Sequence, residues 1–298
     1  MIQDAQALAG KIATLEGLRD VIRTMKALSS ANLRQSEATV DSLVSYDRTI
    51  ELGLHTVLRD EPLAESAVRT HKLPPGLIAI AFGTDYGLCG RLNQSLVEHT
   101  IKQLEQAGVP KDARHLIAVG SRIATHLADA GQSVDRRFQT PASSDAIVQT
   151  VERLLTDIDQ LREQTGIERV WLFYNEYTLR TGSHPVTEHL LPVDSQRLAH
   201  VRQISWPGRR LPTYSLERQQ LLASLVRQML FVALTRACAQ ALASEHQARL
   251  LATQAAERNI QEALEQTSAE HRMLRQQAIT AEILDVISGY EASSVPPP

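Results

Sequence analysis

Aromatic side chains make up only 4% of the 298 residues, which argues against a β-sandwich core or a ligand-rich pocket. Only two cysteines occur, Cys89 and Cys238. They lie far apart among apolar or small neighbours, without metal-ligand spacing, and read as reduced core thiols of a cytosolic protein. The formal net charge of -3 gives no general attraction to nucleic acid or anionic lipid, so no nucleic-acid partner is expected. No run approaches the ~20 consecutive apolar residues of a membrane span. Met1-Ile2-Gln3-Asp4 has neither the basic-then-apolar pattern of a secretory leader nor the acid-poor, Arg- and Ser-rich character of a transit peptide. Any membrane association is therefore expected to be peripheral.

Chemistry-bearing patterns are equally sparse. His184, His189, His246 and His271 offer no H-E-x-x-H or other zinc spacing. Gly83, Gly87 and Gly90 follow an apolar run and open a helical stretch, but match neither the dinucleotide fingerprint nor the phosphate loop. Gly87 and Gly90 are expected to serve tight turning and close helix packing. Ser244, Glu245 and His246 are consecutive, and helical neighbours point about 100° apart, so they cannot converge as a catalytic trio. The expectation is a chain with no catalytic, cofactor or metal site.

Helix formers are what the sequence has in quantity. From Asp4 to Arg59 there is no proline, and apolar residues recur three or four apart at Leu15, Leu18, Ile22, Met25 and Leu28, then at Val40, Leu43, Ile50, Leu54 and Val57. A helix of ~55 residues would run ~80 Å, more than one small domain can cover. Pro74-Pro75-Gly76 breaks the pattern. Beyond it, strands are expected at Gly76–Phe82, His115–Val119 and Arg169–Tyr174, with helices at Leu88–Ala107, Ser121–Ala130 and Ser144–Gln164. Strands alternating with helices predict a parallel α/β domain. Val186–Val193 and Leu198–Ile204 are expected as edge strands.

After Pro212 the chain is proline-free up to Val295, with Ser215 as helix cap and Glu217 in the first turn. About 75 helical residues would span ~110 Å. Alanines 233, 237, 239, 241, 243 and 248 leave room for a partner helix, and Ile279, Ile283, Leu284, Val286 and Ile287 form an apolar end before a stop at Gly289. The fold class expected is α/β with long helices: an antiparallel coiled coil of N- and C-terminal helices plus a small central, Rossmann-like α/β domain. The boundaries are 1–60 for the first helix, 61–211 for the α/β domain, 212–290 for the second helix and 291–298 for a disordered tail.

Lys11-Ile12-Ala13-Thr14 through Ile22-Arg23-Thr24-Met25-Lys26-Ala27-Leu28 resembles the amino-terminal helix of the gamma subunits of F-type ATP synthases. Ala243-Ser244-Glu245-His246 with Ala248-Arg249, then Arg258-Asn259, then Arg275-Gln276-Gln277-Ala278-Ile279-Thr280 with Glu282-Ile283, resembles that family's carboxy-terminal signature in the same order. Gly87-Leu88-Cys89-Gly90 with Leu92-Asn93 is similar to the motif after the first strand. Arg91 stands where a second glycine is common, and Asp85-Tyr86 replaces the usual pair before Gly87. Val21–Lys26 with Tyr46 and Arg48–Leu54 is closer to the N-type branch, which is often associated with sodium coupling.

The resemblance implies a central rotor shaft that couples ion-driven rotation of a membrane c-ring to ATP synthesis or hydrolysis. Its partners would be the alpha and beta subunits of the catalytic ring, the epsilon subunit and the c-ring. Its place would be peripheral, at the cytoplasmic face of the bacterial inner membrane. Residue by residue, it implies coupling contacts through Met25, Lys26, Arg275, Gln276, Thr280, Glu282, Ile283 and Ile287. Read as residues, Gly87 and Gly90 serve turn packing, and Ser244, Glu245 and Arg249 either support packing between the two long helices or meet a partner directly. The chloroplast regulatory insertion is not seen, so its redox control is not expected. Composition and periodicity alone fit a static coiled-coil scaffold with an α/β recognition head equally well.

Overall fold

The computed structural model describes residues 2–59, 76–178, 180–193, 195–208 and 212–294. The helices are α1 (Ile2–Leu58), α2 (Leu92–Gln106), α3 (Ser121–Asp129), α4 (Ser144–Thr165), α5 (Ser195–Gln203) and α6 (Arg218–Ser294). The strands are β1 (Leu77–Phe82), β2 (Arg114–Val119), β3 (Arg136–Phe138), β4 (Val170–Thr178) and β5 (Gly182–Leu191). Two compact units result, one of Met1–Leu28 with Leu250–Pro298, the other of Ser29–Arg249.

In the larger unit the strands lie in the order β3-β2-β1-β4-β5. The first four are parallel and β5 returns antiparallel to β4. Every residue of β1 is buried, because alternate side chains serve different cores. Leu77, Ala79 and Ala81 pack with Leu96 and Leu104 of α2 and Ile123 and Leu127 of α3. Ile78, Ile80 and Phe82 share a second core with Leu54 and Leu58 of α1, Val151 and Leu154 of α4, and Val232, Ala233 and Ala237 of α6. A window of α6 with mean hydropathy 1.4 is apolar enough by composition to cross a membrane. Met229, Leu230, Val232 and Leu234 spend that apolarity in the second core.

In the smaller unit Ile22, Ile260 and Leu264 are buried together, with Ile12, Leu15 and Ala256 packed against them. The pairing is antiparallel: Lys26 and Arg23 meet Glu257, while Ile12 and Leu15, earlier on α1, pack against the cluster that holds Ile260 and Leu264, later on α6. Continuing that register puts the first residues of α1 opposite roughly residue 280 of α6, at equal rise along both helices. Beyond that point Ile283, Leu284, Val286 and Ile287 of α6 are exposed.

Several expectations are corrected. Leu198–Ile204 is not an edge strand, for α5 takes up residues to Gln203. Its apolar residues Leu198 and Val201 are three apart, and His55 donates from Nδ1 to the Val201 carbonyl at 3.0 Å. β3 was not expected, because two of its three residues are arginines and no apolar run marks it. The helix expected from Leu88 begins at Leu92, after Leu88 has turned into the left-handed region at φ 61°. Ser215 does not cap α6; the Glu217 carboxylate accepts from the Gln219 and Gln220 amides at 3.2 and 3.3 Å. Nor does Gly289 stop that helix, which runs to Ser294, so residues 291–294 are helical rather than tail. The Pro74-Pro75 break and the Pro296–Pro298 tail lie outside the described residues.

The joint between β2 and α3 offers a test. Gly120 has φ 118°, and a Cβ there would sit 2.8 Å from the backbone N and O of Thr84. Gly131 has φ 71° with nothing within 4 Å. Gly120→Ala should destabilise the protein by about 3 kcal/mol, combining an unfavourable backbone with overpacking. Gly131→Ala should lose only about 1 kcal/mol, the left-handed penalty alone. Urea unfolding of the two variants checks the difference; equal losses would contradict it.

Candidate functional site

The parallel crossovers diverge on either side of β1, so the crevice beyond the carboxyl ends of β1 and β4 is a topological switch point, where open α/β sheets take their ligands. The β1–α2 loop borders it. Gly83 has no room for a side chain, since a Cβ would fall 2.3 Å from the Ile123 Cβ. The Thr84 amide donates to Asn93 Oδ1 at 3.2 Å, and Asn93 Nδ2 donates back to the Thr84 hydroxyl at 2.8 Å. Asp85 Oδ1 accepts from the Ser121 amide and hydroxyl at 2.7 and 2.8 Å, and Oδ2 from the amide and hydroxyl of Thr140, both at 2.7 Å. Burial alone would raise the Asp85 pKa, but the hydrogen bonds from Thr140 and Ser121 outweigh it and hold the carboxyl below its ordinary value.

Gly90 needs its glycine for φ 57°, which suits tight turning. Close helix packing does not explain it, because nothing lies within 4 Å of a Cβ there. A Cβ on Gly87 would meet only the Arg122 guanidinium at 3.5 Å, an ordinary contact. Leu88, left-handed without being glycine, carries strain of about 1 kcal/mol. Tyr86 is 73% exposed.

From the other side the crevice is filled by α6. The Ser244 hydroxyl donates to the Asn175 carbonyl at 2.7 Å, near the end of β4. Arg249 Nη2 donates to Glu245 Oε1 at 2.5 Å and to Cys89 Sγ at 3.3 Å. Ser244, Glu245 and Arg249 are respectively 0%, 4% and 9% exposed; packing against the other long helix was expected of them, whereas these hydrogen bonds run to β4, to the β1–α2 loop and within α6. Burial pushes the Glu245 carboxyl upward, with Arg249 opposing. Burial would lower the Arg249 pKa, but Glu245 reverses the direction and keeps the guanidinium charged. Burial pushes the Cys89 thiol up to about 11, leaving it a neutral, poor nucleophile. His246 falls to about 4, through burial first and Arg249 second. Its ring is neutral, and Ser244 and Glu245 are committed to other partners.

In the smaller unit Met25 and Lys26 are half-buried. Lys26 Nζ reaches Glu257 Oε2 at 2.5 Å, and Arg23 Nε reaches Oε1 at 2.9 Å. Hydrogen bonds from Lys26 and then Arg23 lower the Glu257 pKa. Sequence reasoning missed Glu257, whose place opposite Lys26 shows only once the helix register is known. It also missed Asp85 as a clamp, although Asp is a residue type suited to accepting from exposed amides. Arg275, Gln276, Thr280, Glu282, Ile283 and Ile287 are all exposed. Thr280 donates to its own helix at the Gln276 carbonyl, 2.9 Å away. Ile279, Ile283, Leu284, Val286 and Ile287 expose large apolar surfaces at the same end of α6, a concentration that marks an interaction surface.

A family model described as ATP synthase matches residues 4–292. The chain is 26% identical over 287 residues to the ATP synthase gamma chain of Phocaeicola vulgatus, an alignment covering 94% of this chain and 96% of that one. It is 27% identical over 306 residues to the ATP synthase gamma chain of Salinibacter ruber, covering 96% of each. A chain of the Euglena gracilis mitochondrial ATP synthase, solved as OSCP/F1/c-ring in rotational state 3, superposes with a TM-score of 0.67 at 17% identity, covering 100% of this chain and 98% of that chain. A chain of the rotor of the same organism's enzyme in rotational state 1 superposes at 0.64 and 16% identity, covering 94% of this chain and 100% of that one. At those identities the structural likeness is one of fold.

The Asp85 clamp predicts a pH signature. A carboxyl depressed in the folded state stabilises above its unfolded pKa, and that contribution is lost as pH falls through the folded pKa. Asp85→Asn should therefore be less stable than the parent by about 1–3 kcal/mol at pH 7, as for the loss of a helix cap and its hydrogen bonds. The gap should narrow as pH drops below about 4, the ordinary Asp range. Thermal unfolding of both proteins across pH measures it, and a gap independent of pH would contradict the assignment.

Proposed function

The chain belongs to the ATP synthase gamma family, and we propose that it is the central rotor shaft of an F-type ATP synthase, coupling rotation of an ion-driven c-ring to ATP synthesis or hydrolysis in a ring of alpha and beta subunits. The observation that carries this reading is the family match across residues 4–292, which takes in both long helices and the α/β domain. Within the complex this subunit is non-catalytic, and its chemistry is mechanical: it must interact differently with partner subunits at each angle, since only a difference in interaction energy between states can bias them.

The exposed end of α6 suits that task. Ile279, Ile283, Leu284, Val286 and Ile287 present apolar surface that can turn inside a sleeve without fixed polar bonds resisting each step. Arg275, Gln276, Thr280 and Glu282 supply exposed polar groups whose contacts with beta subunits depend on angle, and Met25 with Lys26 supplies the facing position on α1. The α/β domain serves the epsilon subunit and the c-ring, in keeping with a peripheral place at the cytoplasmic face of a bacterial inner membrane and a role in hydrogen-ion or sodium-ion transport. The division at 1–60, 61–211 and 212–290 belongs to the same proposal.

Co-expression with alpha and beta subunits from the same source, purified through a tag on beta, tests the reading. One copy of this chain per three alpha-beta pairs is expected. Removing the residues after Arg275 should cut coupled turnover by about tenfold or more, equivalent to ~1.4 kcal/mol of lost stabilisation. Failure to co-purify with well-folded partners would sink the rotor assignment in favour of a static scaffold. In the intact complex, Lys26→Ala should change the ratio of ion pumping to ATP hydrolysis severalfold while leaving assembly in place. An unchanged ratio would reject the role given to Lys26.

A further inference from the structure

We infer that Ser244–Arg249 of α6 is a built-in occupant of the switch-point crevice, and that Arg249 is the positioning residue that latches the β1–α2 loop to the helix. In open α/β sheets this crevice is where a separate ligand binds. Here several of its polar groups are engaged by the chain itself, although Asn175 Oδ1, Glu245 Oε2 and His246 Nδ1 are buried there without a hydrogen-bond partner. The Asn175 carbonyl takes the Ser244 hydroxyl, Asn175 Nδ2 lies 3.5 Å from the Leu92 carbonyl, and the loop thiol takes the Arg249 guanidinium.

The loop is held in two halves. Thr84 and Asp85 anchor the first half through Asn93, Ser121 and Thr140. In the second half Tyr86, Leu88 and Gly90 are exposed and Gly87 is half-buried, so Cys89 is the buried residue there. Leu88 and Gly90 both sit in the left-handed region, a conformation that local preference does not maintain. Cys89 Sγ donates to the Gly87 carbonyl at 3.3 Å, a contact within the loop. Its contact beyond the loop is Arg249, and one nitrogen of that guanidinium serves both Cys89 and Glu245. Glu245 stands one helical turn from Arg249 and fixes the direction of the guanidinium. Such a buried ion pair adds little stability over apolar packing but specifies one arrangement.

The latch does not depend on the rotor assignment. Its consequence does: within that reading it makes the α/β domain and the adjoining part of α6 turn as one body.

Thiol labelling of the full-length chain tests the latch, because Cys89 and Cys238 are both buried and can be studied one at a time. In a Cys238→Ala background, Arg249→Ala should raise the labelling rate of Cys89 at least about tenfold through local opening of the loop. Removing the guanidinium also removes a charge that favours the thiolate, which acts in the opposite direction, so faster labelling reports exposure and not ionisation. A smaller acceleration in a folded variant overturns the latch. Should Arg249→Ala fail to fold, Glu245→Gln, equal in shape, is held to the same criterion. In a Cys89→Ala background the same variants should leave Cys238 labelling unchanged; a parallel rise there would mean general loosening and also overturn the inference. Co-purification of the unaltered chain with alpha and beta subunits fails or succeeds independently of these rates.

Discussion

The double burial of β1 is the constraint on which the larger unit depends. A strand has two faces, and an apolar residue at every position leaves neither for water. One face takes α2 and α3. The other takes α4 together with α1 and α6, so the two long helices are part of the domain's own core. Ala233, Ala237 and Ala241 allow α6 to approach the others closely. At about 25 cal/mol per Å² of apolar surface, this burial is the main favourable contribution to folding.

The same docking brings α6 across the carboxyl ends of β1 and β4, where Ser244, Glu245 and Arg249 fill a crevice that other α/β proteins leave for a ligand. A carboxyl and a guanidinium are buried there; Glu245 Oε1 meets Arg249 and the guanidinium also meets Cys89, which offsets part of the cost of burial, while Glu245 Oε2 has no hydrogen-bond partner. The smaller unit is built on a different principle. Its core is thin, and Glu257 with Arg23 and Lys26 joins the two helices by charge. The apolar end of α6, with Ile279, Ile283, Leu284, Val286 and Ile287, is exposed, a concentration of the kind found at interaction surfaces.

The long helices and the buried parallel strands were legible in the sequence because periodicity and the absence of proline act over many residues. β1 and β2 read clearly for the same reason, being continuous apolar runs. β3 did not, since a three-residue edge containing Arg136 and Arg137 carries no periodic signal. α5 was misread because Leu198, Val201 and Ile204 are too few to separate a helix from an edge strand near prolines. Gly289 was given the meaning of a helix stop on residue type alone, whereas a glycine inside a helix lowers its stability by about 1 kcal/mol without ending it. At the site, Ser244, Glu245 and Arg249 were picked out through family resemblance, but their meeting with Cys89 depends on a helix crossing that no local pattern encodes. Lys26 was picked out as a coupling contact through the same resemblance, while its engagement by Glu257 depends on a register set by the whole helix pair.

Direct observation of rotation bears most closely on the central claim. With the alpha-beta ring immobilised through beta and a fluorescent probe on an exposed residue of the α/β domain such as Lys111, the account predicts one-directional turning on addition of MgATP, pausing at three positions per turn as a threefold ring requires. A chain that stays bound at a fixed orientation while the ring continues to hydrolyse ATP would contradict it.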